Sequence, residues 1–124
     1  MKKGERVLGK EKDCLFCDIA AKRKQEKVVY EDDQFMAFHD IKPSAEIHLL
    51  IIPKEHVGIF GVSNSREKLS SEIFALARKI AKDMGVEDSY KLLINAGHSA
   101  TKNPDHLHVH LIGGWKSPTK VRHV

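Results

Sequence analysis

Nowhere in the 124 residues does an apolar run approach the roughly 20 residues of a membrane-spanning helix, so a membrane-embedded chain is not expected. The opening stretch, MKKGERVLGKEKD, lacks the apolar segment of a secretory signal. An intracellular location follows as the expectation, cytoplasmic with the nucleus as a second compartment. No internal repeat and no low-complexity segment occurs. Cysteine is scarce: the only two are Cys14 and Cys17, too few for a disulfide framework. Their Cys-x-x-Cys spacing favours metal binding or redox chemistry in an intracellular chain, with two free core thiols as the alternative. A basic face is also missing. The net charge of +4 comes from the ends, since residues 1–12 and 116–124 each carry +3 and leave 13–115 at −2. Nucleic acid is therefore not an expected partner, and the ends read as solvated tails.

What is present is a composition of 41% apolar and 31% charged residues, enough for one globular domain with its own core. The pattern predicts a tail over 1–12, a folded domain over 13–115 and a second tail over 116–124. Asp13 is a candidate N-cap for a short helix through CLFCDIAAKRK, with Leu15, Phe16, Ile19 and Ala20 turned inward. Strands near Val28–Tyr30 and Phe35–His39 read as a hairpin through an acidic turn, and IHLLIIP (47–53) as a dense apolar strand. Asn64 and Glu67 suggest a capping box for a helix from about Ser65 to Met84, whose Leu69, Ile73, Leu76, Ile80 and Met84 make one stripe. Gly85 then supplies the C-terminal cap. YKLLINAG (90–97) reads as a further strand. An α+β domain is expected, an antiparallel sheet of about five strands with one long and one short helix, the helices on one face and the chemistry on the sheet's other side or at its edge.

The last strand carries that chemistry. In HLHVHLIGG (106–114), His106, His108 and His110 alternate with Leu107, Val109 and Leu111, the period of a strand with two distinct faces. The outer two histidines would lie about 13 Å apart at roughly 3.3 Å per residue. Three readings are open: a merely solvated face, a metal site, or nucleophilic and acid–base chemistry on an anion. His48, alone within an apolar strand, would ordinarily be a satisfied core histidine.

Taken in order, FHDI (38–41), IHLLIIPKEH (47–56) and HLHVHLIGG resemble the histidine triad (HIT) family of nucleotide-binding proteins over residues 13–115. Gly113–Gly114 and the short chain are most similar to its Hint branch, which cleaves nucleoside 5′-phosphoramidates. The resemblance implies that His108 is a nucleophile taking up a nucleotidyl group, that His110 hydrogen-bonds the phosphate, that His106 orients the network, and that His48 joins the site. It implies a nucleotide pocket walled by Phe16, Ile19, Phe38, His39 and Ile41, with Asp40 accepting from ribose hydroxyls and Asn95 near phosphate or ribose. Asp40 as a simple turn residue is the alternative. The sequence departs from the branch before the triad, where HSATKNPD puts Asn103 at the position of a serine and has no glycine after Gly97. An amide donates a hydrogen bond but cannot pass a proton as a hydroxyl does.

Some relatives place a Cys-x-x-Cys before the first strand as half of a structural zinc site, which would here be completed by His48 and His106. Such a closed Cys₂His₂ set would leave His108 free. No organic cofactor is expected, and a homodimer is implied by resemblance alone. The reading is thus a hydrolase of purine nucleoside phosphoramidates or related nucleoside phosphate derivatives. Its rivals are dinucleoside polyphosphate hydrolysis, removal of AMP from adenylylated partners, a low-turnover nucleotide-binding regulatory module, and a zinc-dependent hydrolase.

Overall fold

A computed structural model describes residues 14–22, 27–58, 67–96 and 106–116. The expected tail over 1–12, all but the first residue of the tail over 116–124, Asp13, Asn64 and Asn103 lie outside them, so the capping box and the altered loop are not described. The elements in chain order are α1 (Leu15–Ala20), β1 (Val28–Glu31), β2 (Phe35–His39), β3 (Ile47–Pro53), α2 (Glu67–Asp83), β4 (Tyr90–Ile94) and β5 (Val109–Gly113). The five strands form one sheet in the order β1-β2-β3-β5-β4, with every neighbouring pair antiparallel. This is the expected five-stranded architecture with one long and one short helix.

The β1–β2 turn is built by Asp32. Its Oδ1 accepts from the backbone N–H of Gln34 and Phe35 at 2.8 and 2.7 Å, while Tyr30 Oη donates to its Oδ2 at 2.6 Å. β3, flanked on both sides, is the apolar spine, and Leu49, Leu50, Ile51 and Ile52 are all buried. Because side chains alternate, Leu49 and Ile51 face one core and Leu50 and Ile52 the other. The first core is closed by α2, whose Ile73, Leu76, Ala77, Ile80 and Ala81 pack on Phe35, Ala37, Leu107, Val109 and Leu111. Leu69 and Met84 complete the stripe at its partly buried ends. Each fully buried Ile or Leu there contributes about 1.5–3 kcal/mol of transfer free energy. The helix stops where Gly85, at φ +79°, lets its N–H reach Lys82 O and the N–H of Val86 reach Ala81 O. Those two bonds are a Schellman cap, which a left-handed glycine permits without strain.

The second core corrects one expectation. The helices do not share a face: α1 lies on the opposite side of the sheet from α2, packing Phe16, Cys17 and Ile19 against Met36, Phe38, Leu50 and Ile52. The α1 cap is also different. Cys14 is the N-cap, its Sγ accepting from Cys17 N–H at 3.3 Å, and Leu15 is 38% exposed instead of inward. With only six residues, α1 is too short to hold itself together by backbone bonds, so its side-chain contacts decide its place.

Candidate functional site

The alternation in the histidine stretch divides it as expected. Leu107, Val109 and Leu111 enter the α2 core, and the three histidines fall on the α1 face. They are not solvated. His106, His108, His110 and His48 are all buried, at 1, 3, 9 and 7% exposure, which excludes the wet-face reading. Buried imidazoles need partners for their nitrogens, and those partners fix where each proton sits.

His106 directs Nε2 at the carbonyl of Pro53, 2.8 Å away. A carbonyl only accepts, so Nε2 carries the proton and Nδ1 has the lone pair. That Nδ1 faces Cys14 Sγ at 3.4 Å and Cys17 Sγ at 3.5 Å, and Cys17 Sγ in turn lies 3.2 Å from His56 Nδ1. The four ligand atoms of Cys14, Cys17, His56 and His106 are all within 4.8 Å of one another. Ligand-to-ligand edges in a tetrahedral zinc site are about 3.3–3.8 Å, from Zn–S and Zn–N bonds near 2.3 and 2.0 Å. The donor set and spacing fit such a metal, and the Nε2–H to carbonyl bond is the outer partner a ligating histidine requires.

The expected fourth ligand was His48, and the structure replaces it with His56. The register explains why. His48 pairs with Ile112 and Ile51 with Val109, so continuing that antiparallel register puts His106 beside the residue after Pro53. His48 is six residues away along β3, roughly 20 Å at strand rise. His56 follows the strand end and is brought back when Leu107 N–H donates to Val57 O at 2.6 Å. The signal was available in the stretch IHLLIIPKEH, which ends on that second histidine.

His48 instead joins His110. Its Nε2 is 2.9 Å from His110 Nδ1 and 3.4 Å from Asp40 Oδ2. Its Nδ1 accepts from the backbone N–H of Ser44 at 2.9 Å, so the His48 proton is on Nε2 and His110 Nδ1 is an acceptor. A neutral His110 then carries its own proton on Nε2. Burial pushes His48 below its usual pKa despite the neighbouring Asp40, and burial with the adjacent His108 and His48 pushes His110 down to about 4. Both rings are neutral at pH 7. Asp40, His48 and His110 also converge closely enough to suggest a cation site. The Ser44 bond argues against one, because a metal on His48 Nε2 would force the proton onto Nδ1, where an N–H already points.

His108 Nδ1 faces His106 O at 2.8 Å, which places its proton on Nδ1 and its lone pair on Nε2. That Nε2 is the one buried side-chain nitrogen or oxygen without a hydrogen-bond partner among the described residues. Phe16 covers the ring at a centroid distance of 4.9 Å, and His110 meets it edge-on at 5.4 Å.

Beside His48, His110 and Phe16 opens a cavity of about 470 Å³, within the size range of small-molecule sites; His108 and His106 lie behind them and are not among its lining residues. Phe16, Ile19, Phe38, His39, Asp40 and Ile41 line it together with His48 and His110. Leu15, Lys42 and Leu50 line it as well and were not among the expected pocket residues. Leu15 does so because its outward position on α1 places it at the rim. Asp40 Oδ1 accepts from Lys42 N–H at 2.8 Å, a turn, and the residue also lines the cavity. Asn95 is half-buried just past Ile94, which pairs with Val109; it is not among the lining residues.

Residues 21–117 match the family model described as the HIT domain. The chain belongs to the HIT domain family. This HIT protein is 40% identical over 103 residues to the 14 kDa zinc-binding protein of Zea mays, covering 81% of this chain and 80% of that one. It is 36% identical over 103 residues to Adenylylsulfatase HINT1 of Arabidopsis thaliana, covering 81% of this chain and 70% of that protein. Among solved structures, a HIT family hydrolase from Legionella pneumophila superposes with a TM-score of 0.79 at 39% identity, covering 84% of this chain and 95% of that one.

Proposed function

We propose that this HIT protein is a hydrolase of nucleoside 5′-phosphoramidates or related nucleoside phosphate derivatives, with purine nucleotides preferred, acting through a nucleotidyl-His108 intermediate. The observation that carries the reading is the bare lone pair on His108 Nε2 beside a ring that presents an N–H. A dehydrated nitrogen held in one tautomer is prepared for attack on phosphorus. In the first step Nε2 bonds to the α-phosphorus, the bond to the leaving amine breaks, and the amine takes up a proton. The charge gained by the His108 ring is shared with His106 O through Nδ1–H. His110 Nε2–H donates to a phosphoryl oxygen, where negative charge gathers. Water then attacks phosphorus and displaces His108. One water is consumed overall, giving its oxygen to phosphorus and balancing the amine's proton.

The cavity walls suit a base, and the relative named an adenylylsulfatase supports an adenylyl group as the part bound. Zinc is assigned to Cys14, Cys17, His56 and His106 as a structural ion, supported by the donor spacing and by a relative named zinc-binding. A homodimer is proposed on family likeness. The deciding experiment incubates the protein with adenosine and guanosine phosphoramidates, adenylyl sulfate and diadenosine polyphosphates, and counts products. Release of nucleoside monophosphate that disappears in His108→Ala is expected. AMP binding without turnover of any compound would make the protein a binding module, and turnover stopped by chelation but not by His108→Ala would make it a zinc hydrolase.

A further inference from the structure

We propose that Ser44 is a positioning residue for the reaction: its backbone N–H, pointed at His48 Nδ1, sets the protons of two rings in series so that His110 presents an N–H to the phosphate. The inference rests on the role given above to His110, and it names a residue outside the histidine motif.

The geometry is a chain of three groups. Ser44 N lies 2.9 Å from His48 Nδ1, and Ser44 Oγ lies 3.2 Å from the same atom. His48 Nε2 lies 2.9 Å from His110 Nδ1. Two proton arrangements satisfy the ring-to-ring contact. In one, His48 Nε2–H donates to His110 Nδ1, and His110 keeps its proton on Nε2. In the other, His110 Nδ1–H donates to His48 Nε2, His48 Nδ1–H donates to the Ser44 hydroxyl, and His110 Nε2 is a lone pair. A lone pair facing a phosphoryl oxygen repels it.

The hydroxyl is compatible with either arrangement, since it donates or accepts. A backbone N–H only donates. Its position at 2.9 Å therefore selects the first arrangement, because a proton on Nδ1 would confront it. Among the described residues, no other group facing the pair reverses this. Asp40 Oδ2, at 3.4 Å from His48 Nε2 and 3.9 Å from His110 Nδ1, accepts best from the nearer nitrogen, which is the one already protonated. His108 meets His110 by its ring edge, and its own proton is committed to His106 O.

Ser44 is held where it can act. Asp40 N–H donates to His48 O at 2.9 Å, closing the loop between β2 and β3, and Asp40 Oδ1 turns the chain at Lys42. The N–H four residues before His48 is thereby folded back over its ring. The loop that walls the nucleotide cavity also orients the catalytic histidines.

The test is ¹⁵N NMR of histidine-labelled protein without ligand, paired with kinetics. In the wild type, Nδ1 of both His48 and His110 should show the shift of an unprotonated nitrogen at pH 7. Ser44→Ala keeps the N–H and should keep those shifts. Ser44→Pro removes both donors and should move His110 toward Nδ1–H, with kcat lowered roughly 10–100-fold and KM changed far less. A proton on His48 Nδ1 in the wild type overturns the proposal, as do wild-type shifts and kcat in Ser44→Pro. If Ser44→Pro does not fold, the wild-type and Ser44→Ala spectra decide alone. The spectra need no substrate, so a failure here is separate from a failure of the proposed reaction.

Discussion

His106 and His108 are joined by a 2.8 Å bond from His108 Nδ1–H to the His106 carbonyl, while the His106 ring turns the other way toward two cysteines. One residue thus belongs to the metal-type cluster through its side chain and to the proposed nucleophile through its backbone. The connection is doubled by α1. Its N-cap Cys14 and its Cys17 supply the two sulfurs of that cluster, and between them Phe16 lies on the His108 ring and forms part of the cavity wall. A helix of six residues needs such anchors.

The first expectation concerns that anchor. Protein produced with ample zinc should hold about one zinc per chain, read by elemental analysis. Cys17→Ser and His56→Ala should lower both zinc content and melting temperature, whereas His48→Ala should retain the metal, since His48 lies with His110. Chelation should also weaken AMP binding in calorimetry, because α1 supplies Leu15, Phe16 and Ile19 to the cavity. Full zinc retention in His56→Ala, or loss in His48→Ala, would return the fourth ligand to His48.

The histidines should separate by role. His108→Ala should abolish turnover and the trapping of labelled nucleotide on the protein while leaving AMP binding measurable. His110→Ala should retain the nucleophile and slow turnover by roughly 10²–10³-fold through loss of one phosphate donor. The labelled adduct should be acid-labile and base-stable, as a phosphorus–imidazole bond requires. Trapping of label by the His108→Ala protein would assign the nucleophile elsewhere.

Much of this arrangement is legible in the chain. The period of two in HLHVHLIGG separated the core residues from the histidines, and the spacing from Leu69 to Met84 located the α2 stripe, because those faces are set by local geometry. What periodicity leaves open is the pairing of distant segments. His48 and His56 lie in one stretch, and choosing between them as partner of His106 needs the β3–β5 register. The side of the sheet taken by α1 was missed for a similar reason. Its apolar residues are consistent with either face, and the choice is made by Cys14 and Cys17 meeting His106, a contact spanning some ninety residues. Ser44 acts through a backbone N–H, which leaves no mark on residue type.

Stability should fall in acid earlier than carboxylate titration explains. His110 in the folded protein has its pKa pushed down to about 4 by burial first and neighbouring imidazoles second, and His48 is shifted in the same direction. An unfolded chain takes up these protons near pH 6.5. Between those values the unfolded state binds more protons, so the stabilising contribution is complete above about pH 6.5 and is lost as pH falls toward 4. For His110 alone the full change is roughly 3 kcal/mol. Denaturant melts of chelated protein at pH 7.5, 6, 5 and 4.5 should show the decline, and His110→Gln should flatten it. An equal slope in that variant would place the titration elsewhere.

The last expectation tests Asp40, whose two oxygens are differently occupied. Oδ1 holds the turn by accepting from Lys42 N–H, and Oδ2 faces the Nε2–H of His48 at 3.4 Å beside the cavity. Each carboxylate oxygen has a second lone pair, so neither contact prevents acceptance from a ribose hydroxyl. Asp40→Asn is the informative change, because the amide oxygen can keep the Lys42 turn while the charge and one acceptor are lost. If Asp40 takes both ribose hydroxyls, AMP binding should weaken by roughly 1–3 kcal/mol, and the preference for AMP over its 2′-deoxy form should narrow. Loss of the carboxylate also removes the one influence that raises the His48 pKa, so both rings should stay neutral at pH 7 in the variant. The amide NH2 would then face His48 Nε2–H, so it is the ratio of AMP to deoxy-AMP, in which any change at the rings cancels, that assigns the effect to the sugar. Calorimetry with AMP and deoxy-AMP on both proteins measures the ratio. A ratio unchanged by Asp40→Asn, with the melting temperature lowered, would leave Asp40 as a turn residue only.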